Sequence, residues 1–207
     1  MSAVQDQILA RIRESDRSVV FIPKDFLDLG SRDAADQALS RLAKLGAIQR
    51  LGRGLYFYPG RGGASEKVSA DPDEIAAALG RQTGSQVVPS GAVAAHRLGL
   101  TRQIPAVPLY LTDGRTRRVT IGGRVFQLRH AGPKDLPAGS QTSSMVFQAL
   151  RFLGKESVDN RVKERIRKSL SADQRDELLR DVGYTTDWIA AAVRQIARSD
   201  ADAVVHV

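Results

Sequence analysis

Apolar residues recur at helical spacing in VQDQILARIRE (4–14), where Val4, Ile8, Leu9 and Ile12 share one face. The next apolar run, SVVFIP (18–23), is short, β-branched and closed by a proline, which predicts a strand. Pro23 then opens KDFLDLG, read as a short helix with proline near its start and Gly30 just past its end. Ser31 can cap a second helix with apolar positions at Ala35, Ala38, Leu39, Leu42 and Leu45, and Gly46 ends it. AIQRL and LYFYP follow as two short strands separated by Gly52-Arg53-Gly54. Helix, strand, helix, helix, strand, glycine turn, strand is the order of a winged helix-turn-helix. Each element brings its own start or stop signal, so the agreement among them strengthens the reading.

Residues 60–72, GRGGASEKVSADP, have the Gly/Ser/Pro content of a linker. They divide the chain into an expected winged-helix domain, 1–62, and a C-terminal domain, 63–207. The second region opens with a helix around Asp73–Leu79 and another in SGAVAAHRLGL (90–100). Strand patterns follow in VPLYLT (107–112), RRVTI (117–121) and RVFQLRH (124–130), with Asp113-Gly114 and Gly122-Gly123 expected as hairpin turns between them. From about residue 143 to 198 the chain reads as wholly helical. Ser171 to Gln174 fits a capping box, and Trp188, Ile189, Val193 and Ile196 form an apolar stripe. The expected fold class is therefore α+β: a winged helix-turn-helix, then a mixed domain of β-hairpins and a helical C-terminal part.

Charge adds a partner to this outline. The 207 residues hold 31 Lys+Arg against 23 Asp+Glu, a formal charge of +8. That excess favours polyanionic partners, nucleic acid first. No acidic residue lies between Asp36 and Glu66, whereas Arg41, Lys44, Arg50, Arg53 and Arg61 do. The polar side of the second helix offers Arg32, Asp33, Gln37, Ser40, Arg41 and Lys44, residue types that read base edges or hold phosphate. The same set would also serve as an ordinary solvated face.

The glycine turn does not read as a nucleotide cradle. A dinucleotide fingerprint needs a third glycine where Phe57 stands and a helix where LYFY continues as a strand, and no Walker Gly-Lys-Ser/Thr is present. A wing carrying Arg53 at its tip, with Arg50 beside it, fits better. Alternation along LYFY puts either Leu55 and Phe57 or Tyr56 and Tyr58 toward a core.

A second acid-free stretch runs from Asp113 to Asp135 and encloses Arg115, Arg117, Arg118, Arg124, Arg129 and Lys134. It is either a second basic patch or charge protecting a sheet edge. The segment KESVDNRVKERIRK (155–168) interleaves both signs and reads as a solvated helix face. Catalytic constellations are poor. There is no cysteine, the three histidines are far apart in sequence, and His96 sits among small residues without a ligand partner at metal spacing. Ser90-Gly91 lacks a nucleophile-elbow frame. Neither catalysis, a metal nor a cofactor is expected. No run approaches the roughly 20 apolar residues of a membrane span, and Met1 to Glu14 holds no signal-peptide core. A cytoplasmic, membrane-free protein is the expectation.

FIPKDFLDLGSRDAADQALSRLAKLGAIQRLGRGLYFYP (21–59) resembles the N-terminal winged helix of the AbiEi-type antitoxin family. VVPSGAVAAHRLGLTRQIPAVPLYLTDGRTRRVTIGGRVFQLRHA (87–131) is similar to that family's following region, where a small-residue helix ending in His-x-Leu-Gly-Leu precedes hairpins. The tail from Ser143 has no matching motif. The resemblance implies an antitoxin of an AbiE-like toxin–antitoxin system of phage defence. Such a protein binds inverted repeats in its own promoter as an autorepressor and counteracts a nucleotidyltransferase-like toxin. Carried onto this chain, the DNA-binding residues are Arg32, Gln37, Ser40, Arg41 and Lys44, with Arg50 and Arg53 on the wing. The basic hairpins 115–129 are the candidate toxin-facing surface. Two rivals remain at this point: a non-catalytic protein- or RNA-binding module using the same basic surfaces, and a nuclease or nucleotidyltransferase, which would need a carboxylate cluster.

Overall fold

The computed structural model describes residues 3–15, 17–60, 70–133, 135–136 and 139–198. Among them the chain forms eight α-helices and seven strands, an α+β fold of two compact units. The first unit comprises residues 1–87 with 118–126, and the second comprises 88–117 with 127–207.

The first unit follows the predicted order. Helix α1 (Ala3–Glu14) leads through β1 (Val19–Phe21) into a single 3-10 turn, Pro23–Phe26. Helix α2 (Arg32–Lys44) and the hairpin of β2 (Gln49–Gly52) and β3 (Leu55–Tyr58) complete the winged helix. The strands form an antiparallel sheet of order β1-β3-β2, with Val20 opposite Phe57 and Arg50 opposite Tyr56. KDFLDLG makes one 3-10 turn rather than an α-helix, because Pro23 is followed by too few residues before Gly30 to repay helix nucleation.

Ser31 caps α2 as expected, its Oγ accepting the Ala34 N–H at 3.2 Å. At the other end Gly46 adopts φ 72°. Its N–H donates to Ala43 O and the Ala47 N–H to Leu42 O, a Schellman closure. This reversal leaves Leu45, expected in the apolar stripe, 68% exposed at the helix end. Ala35, Ala38, Leu39 and Leu42 are buried with Ile8, Ile12, Phe21, Phe26 and Ile48.

LYFY resolves the open alternation in an unexpected way. Leu55, Tyr56 and Phe57 are all buried, so both faces of β3 are covered. Tyr56 joins the α1/α2 core and stacks on Phe21 with centroids 6.3 Å apart. Helix α3 (Pro72–Thr83) packs against β1, and its Ile75, Ala76, Ala78 and Leu79 are buried. The expected boundary at 62/63 falls among 61–69, outside the described residues. Helix α3, expected with the C-terminal domain, belongs to the first compact unit.

The second unit is mainly helical. Strand β4 (Val87–Pro89) and helix α4 (Gly91–Arg97) precede β5 (Leu109–Thr112), β6 (Arg117–Ile121) and β7 (Arg124–His130), of which residues 118–126 belong to the first unit. Helices α5 (Gln141–Leu153), α6 (Asn160–Ser169), α7 (Ala172–Arg180) and α8 (Asp187–Ala197) follow. Ala94, Leu98, Phe147, Leu150, Ile166, Leu178, Ile189, Val193 and Ile196 share one core, with Trp188 packed against it. The capping box at Ser171 and Gln174 is formed.

His-x-Leu-Gly-Leu is a helix stop. Gly99 takes φ 68°, its N–H donates to His96 O, and the Leu100 N–H donates to Ala95 O. Leu98 is thereby buried, and the Arg165 guanidinium of α6 donates to the freed Gly99 carbonyl at 2.7 Å.

The hairpin expected at Asp113-Gly114 is corrected. Strand β5 pairs in parallel with β7, Tyr110 opposite Leu128, and the sheet order is β4-β5-β7-β6. Of the two turns expected here, Gly122-Gly123, at φ 55° and 78°, joins sheet neighbours. Residues 113–116 instead cross the end of β7. There the His130 N–H donates to Thr116 Oγ1 at 2.8 Å and the ring Nδ1 lies 2.9 Å from Gly114 O. The physical reason is burial: Phe126 and Leu128 are 0% and 1% exposed, so β7 takes the inner position and arginine-rich β6 the edge.

A Cβ on Gly91 would overlap Phe152 Cβ and lie 2.7 Å from Gln148 O of α5. Gly91→Ala should therefore lower stability by about 1–3 kcal/mol, read by denaturant unfolding. In α3, one Glu74 carboxylate oxygen is buried without a hydrogen-bond partner. Burial raises its pKa, with Asp71 adding to the effect. A raised acid favours folding in its protonated form, so its contribution is complete below the unfolded-state pKa and lost as pH rises through the folded one. Glu74→Gln should raise Tm at neutral pH, and the gain over wild type should shrink as pH falls through that range.

Candidate nucleic-acid interface

Helix α2 buries one side through its alanine and leucine positions and so commits the other to solvent. Asp33, Gln37, Arg41 and Lys44 are exposed on it, at spacings of four, four and three residues that place them in one line. At 1.5 Å per residue the line spans about 16 Å of helix. The Gln37, Arg41 and Lys44 side chains have no partner among the described residues, so their donors are available. Arg32 differs: its Nε donates to Asp36 Oδ2 at 2.9 Å, an exposed i,i+4 pair. Ser40 is half-buried, one step around the helix from the exposed line.

The glycine turn between β2 and β3 is a wing. Strands β2 and β3 reverse at Arg53-Gly54, and a bulge between Arg50 and Gly52 shifts the register. Gly54 has φ 62°, a conformation that favours glycine. Arg53 is exposed with no side-chain partner among the described residues, while Arg50 Nε donates to Gly52 O at 3.3 Å. Arg61, the last basic residue of the acid-free stretch, lies outside the described residues.

Between α2 and the wing lies a cleft of about 590 Å³, with Arg32, Asp36 and Ser40 on the helix side and Arg50 and Arg53 on the wing side. Tyr56 contributes to its lining. Burial pushes the Tyr56 phenol above its ordinary pKa, with Arg50 opposing and Asp36 adding, so the hydroxyl stays protonated. Three of these polar groups come from α2 and two from the wing, and the cations outnumber the single carboxylate. A concave cationic surface of this kind attracts anions more strongly than a flat one of equal charge.

Several contributing residues were not singled out from the sequence. Gln82, near the end of α3, donates from its side-chain amide to Arg53 O at 3.0 Å and Gly54 O at 2.9 Å. Lys24 Nζ donates to the Gln82 carbonyl at 2.9 Å. Arg81 donates to both Asp25 carboxylate oxygens at 3.1 Å and to Val20 O at 3.1 Å. Asp25 also accepts the Ile22 N–H at 3.0 Å. No periodicity marks these residues, because each acts through a partner far away in sequence.

The residues of the expected second basic patch fall in both compact units. Arg118 and Arg124 belong to the first compact unit, and Arg115, Arg117 and Arg129 to the second. Arg115, Arg118, Arg124 and Arg129 are exposed, Arg117 is half-buried, and Lys134 lies outside the described residues. His96 is half-buried with Nδ1 buried and without a hydrogen-bond partner. No group of three or more His, Asp or Glu side chains suited to a metal occurs among the described residues. No described helix is long and apolar enough to cross a membrane.

Among curated proteins no sequence matches the chain. Among solved structures, the crystal structure of RV2827C protein from Mycobacterium tuberculosis is similar, at 14% identity and a TM-score of 0.42. The match covers 95% of this chain and 77% of that one. The model of a family of unknown function, DUF6088, matches residues 7–178, and the chain belongs to that family.

Proposed function

We propose that the chain is a non-catalytic, cytoplasmic DNA-binding protein that represses its own operon and serves as the antitoxin of an AbiE-like system. One observation carries the DNA-binding part. The outward line Asp33, Gln37, Arg41 and Lys44 sits on the second helix of a winged helix, beside a wing whose Arg53 is exposed and unpartnered among the described residues.

An α-helix fits the major groove of B-DNA, about 12 Å wide, with its polar face toward base edges. Arg41 can pair with guanine O6 and N7 there, and Gln37 with adenine N6 and N7. Lys44 and Arg53, as point or forked cations, suit backbone phosphates. Asp33 repels phosphate and suits a position over a cytosine amino group. Arg50 and Arg32 extend the cationic surface along the cleft.

The antitoxin part rests on the resemblance of residues 21–59 and 87–131 to the AbiEi-type family. In this reading the partner is a nucleotidyltransferase-like toxin encoded by the neighbouring open reading frame. Co-expression tests it: growth arrest by the neighbour's product should be relieved by this chain and not by a variant lacking residues 87–207.

Fluorescence-anisotropy titration against the protein's own upstream region tests the DNA part. Specific affinity should exceed that for scrambled duplex, and equal affinities would reject the reading. Arg41→Ala should cost about 1–3 kcal/mol on the specific site and little on scrambled DNA. Arg53→Ala should weaken both duplexes alike and reduce the slope of log K against log salt by about one.

A further inference from the structure

A wing is a two-stranded ribbon, and such a ribbon by itself is marginal in water. Here the turn is not left to itself. Gln82 places one amide nitrogen within 3.0 Å of Arg53 O and 2.9 Å of Gly54 O, two consecutive carbonyls at the tip. A Cβ on Gly54 would come within 3.4 Å of that nitrogen, so the glycine also makes room for the contact. Gln82 is in turn held by its helix. Its own carbonyl accepts from Lys24 Nζ, and the preceding residue, Arg81, is fixed by Asp25 and by Val20 O of β1. The brace therefore runs from the sheet and the 3-10 turn, through the end of α3, to the wing tip. All its members lie in the first compact unit.

We infer that Gln82 is a positioning residue: through α3 it fixes the pose of the wing, and so decides where Arg53 meets phosphate. The inference rests on the DNA-binding reading for its consequence, and on the hydrogen bonds alone for its cause. Chemistry favours glutamine at this place. Two carbonyl acceptors need a donor, the amide supplies it without a charge, and a carboxylate of equal size would face both oxygens with like polarity. The pre-set wing lowers the ordering cost of binding, because the loop does not have to be immobilised when DNA arrives.

The test uses the full chain and two variants, Gln82→Met, which keeps the size and removes the donors, and Gln82→Glu, which makes the group an acceptor. Hydrogen exchange at the amides of residues 52–55 should quicken by roughly tenfold in Gln82→Met, as two lost hydrogen bonds of ordinary net strength imply. It should quicken further in Gln82→Glu, while exchange in α2 stays at the wild-type rate. In a double-mutant cycle on DNA affinity, Gln82→Met should weaken wild type about three- to tenfold and leave Arg53→Ala almost unchanged, since both act through the wing.

Unchanged exchange at 52–55 overturns the brace, whatever DNA does. Faster exchange with additive affinity losses overturns the positioning role. Faster exchange in the variants, combined with a wild type that shows no preference for its upstream region, supports the brace and sinks the DNA-binding reading instead, so the two failures are told apart.

Discussion

Three consecutive residues of β3, Leu55, Tyr56 and Phe57, are buried in a sheet of only three short strands. Neighbours along a strand point to opposite faces, so this sheet has to be covered on both sides. Helices α1 and α2 cover the Tyr56 side through Ile8, Ile12, Ala38 and Leu39. Helix α3 packs against β1, contributing buried Ile75 and Leu79 to the same unit. A winged helix that ended at residue 62 would leave apolar surface on one face of its sheet. The need to cover that face explains why α3 belongs to the first unit, and why residues at its end are near enough to touch the wing.

Ionic contacts divide along the same line. Arg11 meets Asp28 through two hydrogen bonds of 2.9 and 2.6 Å, and Arg81 meets Asp25. The Arg11 contact holds the Asp28 carboxyl below its ordinary pKa, although the pair is exposed and adds little to stability. These arginines fasten elements to one another. Arg41, Lys44 and Arg53 fasten nothing among the described residues and stay available to an anion. Formal charge could not separate the two groups, since all are alike in composition.

In the second unit, Leu98 and Leu100 flank a glycine that turns the chain while Leu98 stays in the core. Its freed carbonyl is taken by Arg165, from a helix more than sixty residues later in the chain. The segment that reads as a solvated charged face therefore contains one arginine with a structural task. Exposed Arg161 and Lys168 on the same helix keep the solvated character that the mixed charges suggest.

Elements with local causes were legible from the residues alone. Ser31 and Gly46 bound α2, Ser171 and Gln174 start α7, and Gly122-Gly123 closes a two-residue hairpin, because caps and turns depend on a few adjacent backbone groups. The outward line from Asp33 to Lys44 was equally legible, as helical periodicity sets both faces at once. Tertiary structure decided what local signals leave degenerate. It inserted β7 between β5 and β6, because strand order follows which strand is most apolar on burial rather than which comes next. It buried both Tyr56 and Phe57, brought Gln82 to the wing, and divided the arginines of 115–129 between two units. Each of those outcomes depends on groups tens of residues apart, and no spacing rule within a window of one helix or one hairpin carries that information.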